Sequence, residues 1–495
     1  MKLAAAGAGF AVAGAEAQTT ADAVAPFQAS APLDLARALA KTAFRAPPND
    51  LPEPFAGMSY ERYAGINPRP SAALWANDHL GFVIEPLPRG FIFTSPVLLN
   101  VVENGLARQL AFRSDDFEFG GLKSAASAAA LGFSGFRVLA PRNGKLEEIA
   151  IFQGASFFRA HAPGQPFGTM ARALAVKTGD SRGEEFPLFR AMWIERPQAG
   201  ANALVVHALV DSESMAGGYR FTLRPGEATL IDVEATLVAR VNVDHFGVAA
   251  MSAMSLTTPL DKRRPEDVRP MVAEANGLQM RTGAGEWIWR PVSNRATLQF
   301  SSFVDDNPKG FGFLVRDRKF EDYQDDEARW QERPSLWVEP LSDFGPGAVA
   351  LVEIPAEAEW NQNCIAYWRP TGGLPAGKEA SFAYRQFWCR EPPIKPPQLT
   401  VRHARSGKVG KRRRFIVTFA GESLADPAAT PDLKPRLSVA PGALVGVRTF
   451  VYRDARHLRV AFDVDPGGET FSEIRLTVEA AGAPVSETWL YRWTP

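Results

Sequence analysis

At 495 residues the chain is too long for one ordinary core, so two domains are expected, and 46% hydrophobic with 22% charged residues excludes a disordered or fibrous polymer. Its 55 basic and 55 acidic side chains cancel, which argues against nucleic acid or an anionic membrane as the partner and favours a neutral one. Aromatic residues reach 11%, with 11 Trp and 33 Phe, and flat apolar rings beside polar groups suit a sugar-binding surface, although the same rings also fill cores.

The amino terminus carries Lys2, the apolar small-residue run from Leu3 to Ala13, and Ala15-Glu16-Ala17 before Gln18. A positive start, a short apolar stretch and an Ala-x-Ala site predict a secretory signal over residues 1–17, with mature protein beginning near Gln18. The run is weakly hydrophobic, as in twin-arginine signals, which suggests a true start upstream. It is too short to span a bilayer, and no later segment has the length to do so. An exported product that is released or stays in the periplasm follows.

Asp34 is placed to cap a short helix with Leu35 and Leu39 on one face. From Leu80 the pattern becomes period two between turn residues, predicting strands over Gly81–Glu85, Gly90–Phe93, Pro96–Leu99, Ala111–Arg113 and Glu147–Phe152. The texture continues through 203–209, 219–223 and 229–243, punctuated by 41 Gly and 39 Pro, and predicts a large antiparallel β-sandwich over 24–389. A short surface helix is expected over Asp322–Gln331. Four prolines within Arg390–Pro397 mark a linker at 390–398, since such a run favours extended polyproline geometry over central pairing. Beyond it, alternating segments predict a compact immunoglobulin-like sandwich over 399–495, giving an all-β chain. Its run Lys411-Arg412-Arg413-Arg414 reads either as a site for anionic head groups or, more commonly, as a solvated strand start.

Several site chemistries find little support. The six His residues, His79, His161, His207, His245, His403 and His457, lack metal-ligand spacing, and no Gly-rich loop precedes a helix, so no metal and no cofactor is implied. Gly132-Phe133-Ser134-Gly135 lacks the spacing of a nucleophile elbow. Cys364 and Cys389 are too few for a disulfide framework; they pair in an oxidising compartment or stay as buried thiols.

Specific strings then occur in a telling order: Gly132-Phe133-Ser134-Gly135-Phe136-Arg137, Gly154-Ala155-Ser156-Phe157-Phe158-Arg159-Ala160, Gly183-Glu184-Glu185-Phe186-Pro187, Trp193-Ile194-Glu195-Arg196-Pro197 and Ala208-Leu209-Val210-Asp211-Ser212. They are followed by Gly285-Glu286-Trp287-Ile288-Trp289-Arg290-Pro291, Gly310-Phe311-Gly312-Phe313, Arg316-Asp317-Arg318 and Arg333-Pro334-Ser335-Leu336-Trp337-Val338-Glu339-Pro340. Together they resemble the periplasmic glucan biosynthesis proteins G and D, from about Phe27 to the end. The resemblance implies a large β-sandwich with a cleft, an immunoglobulin-like carboxy-terminal domain, and a part in making osmoregulated periplasmic glucans. It also implies a β-1,2-linked glucose polymer as the partner and leaves open a membrane glucosyltransferase complex and the oligomeric state. Arg137, Phe157, Arg159, Trp193, Glu195, Asp211, Glu286, Trp287, Trp289, Arg290, Arg316, Asp317, Trp337 and Glu339 are carried over as saccharide-binding candidates.

Some relatives are similar to inverting β-1,2-glucan hydrolases or to transglycosylases. Inverting chemistry sets an acid against the leaving oxygen and a base behind water, with carboxyls about 6.5–9.5 Å apart. The resemblance places these groups in two strings, and both differ here. The family's His-Asp-Ser-Asp-Gly-Leu reads Ala273-Glu274-Ala275-Asn276-Gly277-Leu278, and its Asp-Asn-Ile-Val-Ala-x-Trp reads Gln362-Asn363-Cys364-Ile365-Ala366-Tyr367-Trp368. The position implied for the general acid is therefore Gln362, and an amide has no proton to give near neutral pH. Glu274 keeps a carboxylate that could activate water or hold a hydroxyl; the competing reading is a surface acid beside the Asn276-Gly277 turn. Glu357, Glu359, Asp325 and Asp326 are the candidates for a relocated acid, the last two in a charged run expected to be solvated. Binding without hydrolysis is the leading expectation, an active glucanase or transglycosylase the rival, and partner docking through the carboxy-terminal sandwich a third reading. If Gly285–Pro291 is extended, Trp287 and Trp289 share one side, expected to face the groove, and Arg316 and Arg318 share a face suited to vicinal hydroxyls.

Overall fold

The computed structural model describes residues 24–48, 50–120, 131–261 and 266–494; the expected signal at 1–17 lies outside the described residues. Strands dominate, as the alternating pattern predicts, and two large sheets pack face to face. One is ten-stranded, with Val83–Pro88, Phe133–Arg142, Lys145–Gln153, Phe157–Ala160, Met170–Arg172 and Phe246–Ala253 in neighbouring positions, continuing to Cys364–Pro370 and Pro346–Glu353. The other is sixteen-stranded, with the long antiparallel set Leu204–Asp211, Met215–Arg224, Thr229–Ala239 and Glu379–Cys389 at its centre.

The space between them is filled from both sides. Phe136, Phe152 and Phe158 stack along the ten-stranded sheet at centroid spacings of 5.3 and 5.2 Å, and Phe221 of the facing sheet meets Phe152 and Phe158 edge-on at 5.3 and 5.1 Å. All four rings are essentially inaccessible, so truncating any one removes about 3–5 kcal/mol.

The helix Ala31–Ala40 lies on the outer side of the sixteen-stranded sheet, burying Ala36 with Leu33, Leu35 and Leu39 half-covered. Gly218 permits the contact, because a Cβ there would sit 2.7 Å from the Leu33 backbone. Ser30, not Asp34, is the cap residue; Pro32 favours a helix start one turn earlier than expected, and Asp34 instead lies in the first turn, paired with Arg37 at 3.2 Å.

Other local expectations are corrected. Gly90–Phe93 is a tight turn closed by reciprocal backbone bonds of 2.9 and 3.2 Å, with Phe91 at φ +56°. Ala111–Arg113 is loop; Phe112 is held by ring contacts with Phe117 and Phe133 and needs no strand partner. The helix expected over Asp322–Gln331 shrinks to the single turn Phe320–Tyr323, ended by Gln324 at φ +53°. That run is solvated at Asp326 and Glu327, but not at Asp325. Asp325 is buried and accepts bonds from Ala328 N (2.8 Å), Trp330 Nε1 (2.9 Å) and an Arg269 guanidinium nitrogen (2.8 Å), which organises the loop, while Tyr323 and Trp330 are buried beside it.

Residues 390–398 form an irregular, bent connection between Glu379–Cys389 and Thr400–Val409. Beyond them, Thr400–Val409, Arg412–Ala420, His457–Asp465 and Ala443–Tyr452 make a four-stranded sheet. It packs over Lys434–Ala440, Ser472–Ala480 and Thr488–Trp493, which belong to the sixteen-stranded sheet. The join is a parallel pairing of Thr488–Trp493 with Trp287–Pro291, with Ile288 opposite Thr488 and Trp289 opposite Trp489. Beside it the fully buried carboxylate of Glu487 takes two bonds from Arg316 (2.6 and 2.9 Å), one from Gln279 (2.9 Å) and one from Val401 N (2.6 Å). Cys364 and Cys389 are buried free thiols, so they do not pair; burial pushes Cys364 well above its usual range and Cys389 up to about 12. No helix among the described residues is long and apolar enough to cross a membrane.

Two outcomes are expected. Replacing Glu487 with Gln leaves the Arg316 guanidinium poorly matched in a buried site and lowers unfolding free energy by about 3 kcal/mol in urea titration; a change below about 0.5 kcal/mol would refute the coupling. An aromatic disulfide reagent at neutral pH reacts with neither thiol in folded protein and with both in denaturant, because a buried thiol with a raised pKa supplies little thiolate. Rapid labelling of the native protein would contradict this.

Candidate functional site

Pleating sends alternate residues of the ten-stranded sheet to its outer face. With Phe136, Phe152 and Phe158 in the core, their neighbours point away from it. Cross-strand register aligns Glu85, Arg137, Ile151 and Arg159 in one row, and Phe157 opposite Arg172 in the next. This outer face is a field of cations, carboxylates and rings. Arg137 pairs with Glu85 and approaches Glu148 at 3.8 Å; Arg159 lies 4.8 Å over the Phe167 ring, and Arg172 lies 4.9 Å over Phe157. Arg172 is buried, donating to Ser252 Oγ at 2.9 Å and to Glu184, whose Oε1 also accepts from Thr178 at 2.7 Å. Burial holds the Glu148 carboxyl above the usual carboxylate range, against the pull of Arg137 and Arg159.

Glu274 follows the short strand Val272–Ala273 and is 5% exposed, so it is no surface acid. One oxygen accepts from Arg333 at 2.5 Å; the other accepts from Gln362 Nε2 at 2.8 Å and from Met254 N at 3.1 Å. The two positions singled out in the sequence are thus brought into direct contact. Burial lowers the Arg333 guanidinium and Glu274 opposes it, while the charge of Arg159 also acts on Arg333, which ties this cluster to the outer face of the sheet. A carboxylate hydrogen-bonded to an amide leaves no gap of about 6.5–9.5 Å for an attacking water between the two groups.

The remaining candidates lie elsewhere. Trp287, Trp289 and Trp337 are buried with Val401, Phe415 and Trp489, and Trp287 stacks on Trp337 at 6.0 Å; the shared side of the Trp287–Pro291 strand therefore meets the carboxy-terminal sandwich. The guanidinium of Arg316 lies 3.6 Å over Trp289 and is engaged by Glu487; Arg318 donates to backbone oxygens of Gln331 and Arg333 and to Ser335 Oγ. Asn276 Oδ1 accepts from Arg316 N (2.6 Å) and Asp317 N (2.9 Å), fixing that loop. A concave pocket of about 200 Å³ remains here, lined by Asn276, Trp289, Arg316, Asp317 and His403. Glu286 accepts from Thr488 Oγ1 at 2.5 Å, Arg290 pairs with buried Glu353 at 3.0 Å, and Glu339 accepts from Trp337 Nε1 at 3.0 Å. Trp193 stacks on Phe27, Glu195 binds His207 at 2.6 Å, and Asp211 pairs with Arg240 at 2.7 Å, all on the other sheet.

Two of the four candidates for a relocated acid, Asp325 and Glu359, are engaged by one arginine. Arg269 holds Asp325 at 2.8 Å and Glu359 at 2.6 Å. Burial works to raise Asp325, but bonds from Ala328 N–H, Arg269 and Trp330 outweigh it and leave the group below the usual carboxylate range, unfit as a proton donor. Glu357 and Asp326 are exposed. Residues that sequence reasoning passed over are Arg333, Arg172, Glu148 and Trp360. Trp360, 84% exposed two residues before Gln362, had a faint signal: an indole between Glu359 and Asn361 in a polar stretch.

Residues 27–493 match the family described as "Periplasmic glucan biosynthesis protein, MdoG". The chain is 40% identical over 468 residues to "Glucans biosynthesis protein G" of Vibrio cholerae serotype O1, covering 93% of this chain and 85% of the relative. It is 40% identical over 474 residues to the protein of that name from Rhodopseudomonas palustris strain BisA53, covering 95% and 94%. The counterpart in R. palustris strain CGA009 is 41% identical over 467 residues, covering 93% and 92%. Matched over nearly its whole described length, the chain belongs to the MdoG family of periplasmic glucan biosynthesis proteins.

Proposed function

We propose that this protein acts in the periplasm in glucan biosynthesis, holding a β-1,2-linked glucan against the outer face of the ten-stranded sheet without cleaving it. Family membership and the relatives' names support the glucan and the compartment. The observation that carries the rest is the 2.8 Å bond from the Gln362 amide to Glu274. It puts a group with no transferable proton beside the remaining carboxylate, which is neutralised by Arg333. Binding needs only planar polar groups and aromatic faces, and Arg159, Phe157 and exposed Trp360 supply both near the Glu274 cluster. A membrane glucosyltransferase would deliver the polymer.

A second reading is favoured by Glu148, whose raised pKa and position on the same outer face suit it to donate a proton in an active glucanase or transglycosylase. The two readings separate on linear β-1,2-glucan. The binding reading expects calorimetric affinity with no change in product size over a day. Steady release or cyclisation that disappears in both Glu148→Gln and Glu274→Gln would replace it with the enzyme.

Replacing Trp360 with Ala removes a stacking face worth about 1 kcal/mol and weakens glucan binding about fivefold, with the urea midpoint unchanged because the ring is in solvent. Unaltered affinity would remove this indole from the binding surface.

A further inference from the structure

Where the two sandwiches meet there is a cavity of about 820 Å³. Its walls carry Arg295 from one side and Lys408, Lys411, Arg412 and Arg413 from the other. Against these five cations, among the described residues, stand two carboxylates, Asp261 and Glu469. Asp261 lies 3.7 Å from Arg295, and Asp465, beside the wall residue Pro466, lies 3.9 Å from Arg412, so in a chain whose charges sum to zero the wall keeps a local excess of two positive charges.

The arrangement works against stability. Lys408 and Arg413 are directly opposite partners on adjacent antiparallel strands, a register in which like charges repel. Arg413 is half-buried, fixed by bonds of 3.0 and 2.7 Å from its guanidinium to Ser406 Oγ, and Arg295 is 9% exposed at the cavity wall. Burial, with the like charge of Arg295, holds Arg413 below the usual guanidinium range despite the opposing influence of Tyr491 and Asp261. Lys408, Lys411 and Arg412 are exposed, as a solvated strand start places them, and Arg414 pairs with Asp463 at 2.7 Å; half-buried Arg413 is the member of the run that reaches inward to Ser406.

We propose that this cavity binds a phosphate ester. Guanidinium groups match the tetrahedral oxyanion, and the lysines add charge at the mouth. An anion there would relieve the Lys408–Arg413 repulsion, so occupancy stabilises the fold.

The test uses the full mature chain with two probes: inorganic pyrophosphate in solution, and vesicles of phosphatidylglycerol in phosphatidylcholine. Lys408→Gln/Lys411→Gln alters two exposed side chains and should fold; Lys434→Gln/Arg436→Gln removes equal charge from a distant strand as a control. Saturable binding of either probe, weakened at least tenfold in the first variant, weakened by salt and unchanged in the control, supports the site. Binding of pyrophosphate identifies a soluble phosphate anion as the source, and binding of vesicles alone identifies a lipid head group. Equal loss in both variants, or binding of neither probe by the parent protein, overturns the proposal.

Discussion

A strand in a sheet must send successive side chains to opposite faces, and among the described residues the ten-stranded sheet packs one face, carrying Phe136, Phe152 and Phe158, on its partner sheet. That constraint organises the molecule. The inner row of Phe136, Phe152 and Phe158 supplies the apolar burial that stabilises the sandwich, and the same strands then present Arg137, Phe157 and Arg159 outward at fixed spacings. Because the core rows are locked by edge-on contacts with Phe221, the outer rows inherit their rigidity, and polar groups are preorganised without a dedicated scaffold.

Within that field, the buried carboxylate of Glu274 is held by a full set of donors. A carboxylate of low exposure needs compensation, and it receives three donors: Arg333, Gln362 and Met254 N. Each fixes the anion in place. An acid and base that share a proton economy must stay apart, with differing protonation preferences. Here the neighbouring group is an amide that donates to the anion and stays neutral across the whole physiological range.

Much of the fold was legible in the sequence, because strand alternation and turn punctuation are local signals: Thr229 onward, 219–223 and 203–209 all read correctly as strands. The misreadings occur where tertiary contacts decide the outcome. Gly90–Phe93 has strand composition, but Phe91 adopts a left-handed turn conformation. Asp322–Gln331 has helical texture, yet Asp325 gathers donors from Ala328, Trp330 and Arg269 and holds the segment as a loop. For the site, the resemblance singled out the Glu274 and Gln362 positions, but their direct contact at 2.8 Å was not legible, since the inverting arrangement implies groups about 6.5–9.5 Å apart. The fate of Trp287 and Trp289 did not: alternation gives a shared side, but which body covers it depends on a parallel pairing with Thr488–Trp493 about two hundred residues away. Trp360 escaped notice for the converse reason, since a lone indole in a polar loop carries no period.

That parallel pairing also bears on how the molecule moves. The sandwiches share one hydrogen-bonded sheet, with indoles packed across the join and the Arg316–Glu487 pair beside it. A swinging, jaw-like closure of one lobe on the other would have to rupture the ladder and drag Trp289 out of its packing, so the molecule cannot clamp by rotation. A glucan held on the outer face of the ten-stranded sheet, as proposed above, would meet a surface that does not close over it, and the loss of conformational freedom on association would fall mostly on the flexible saccharide.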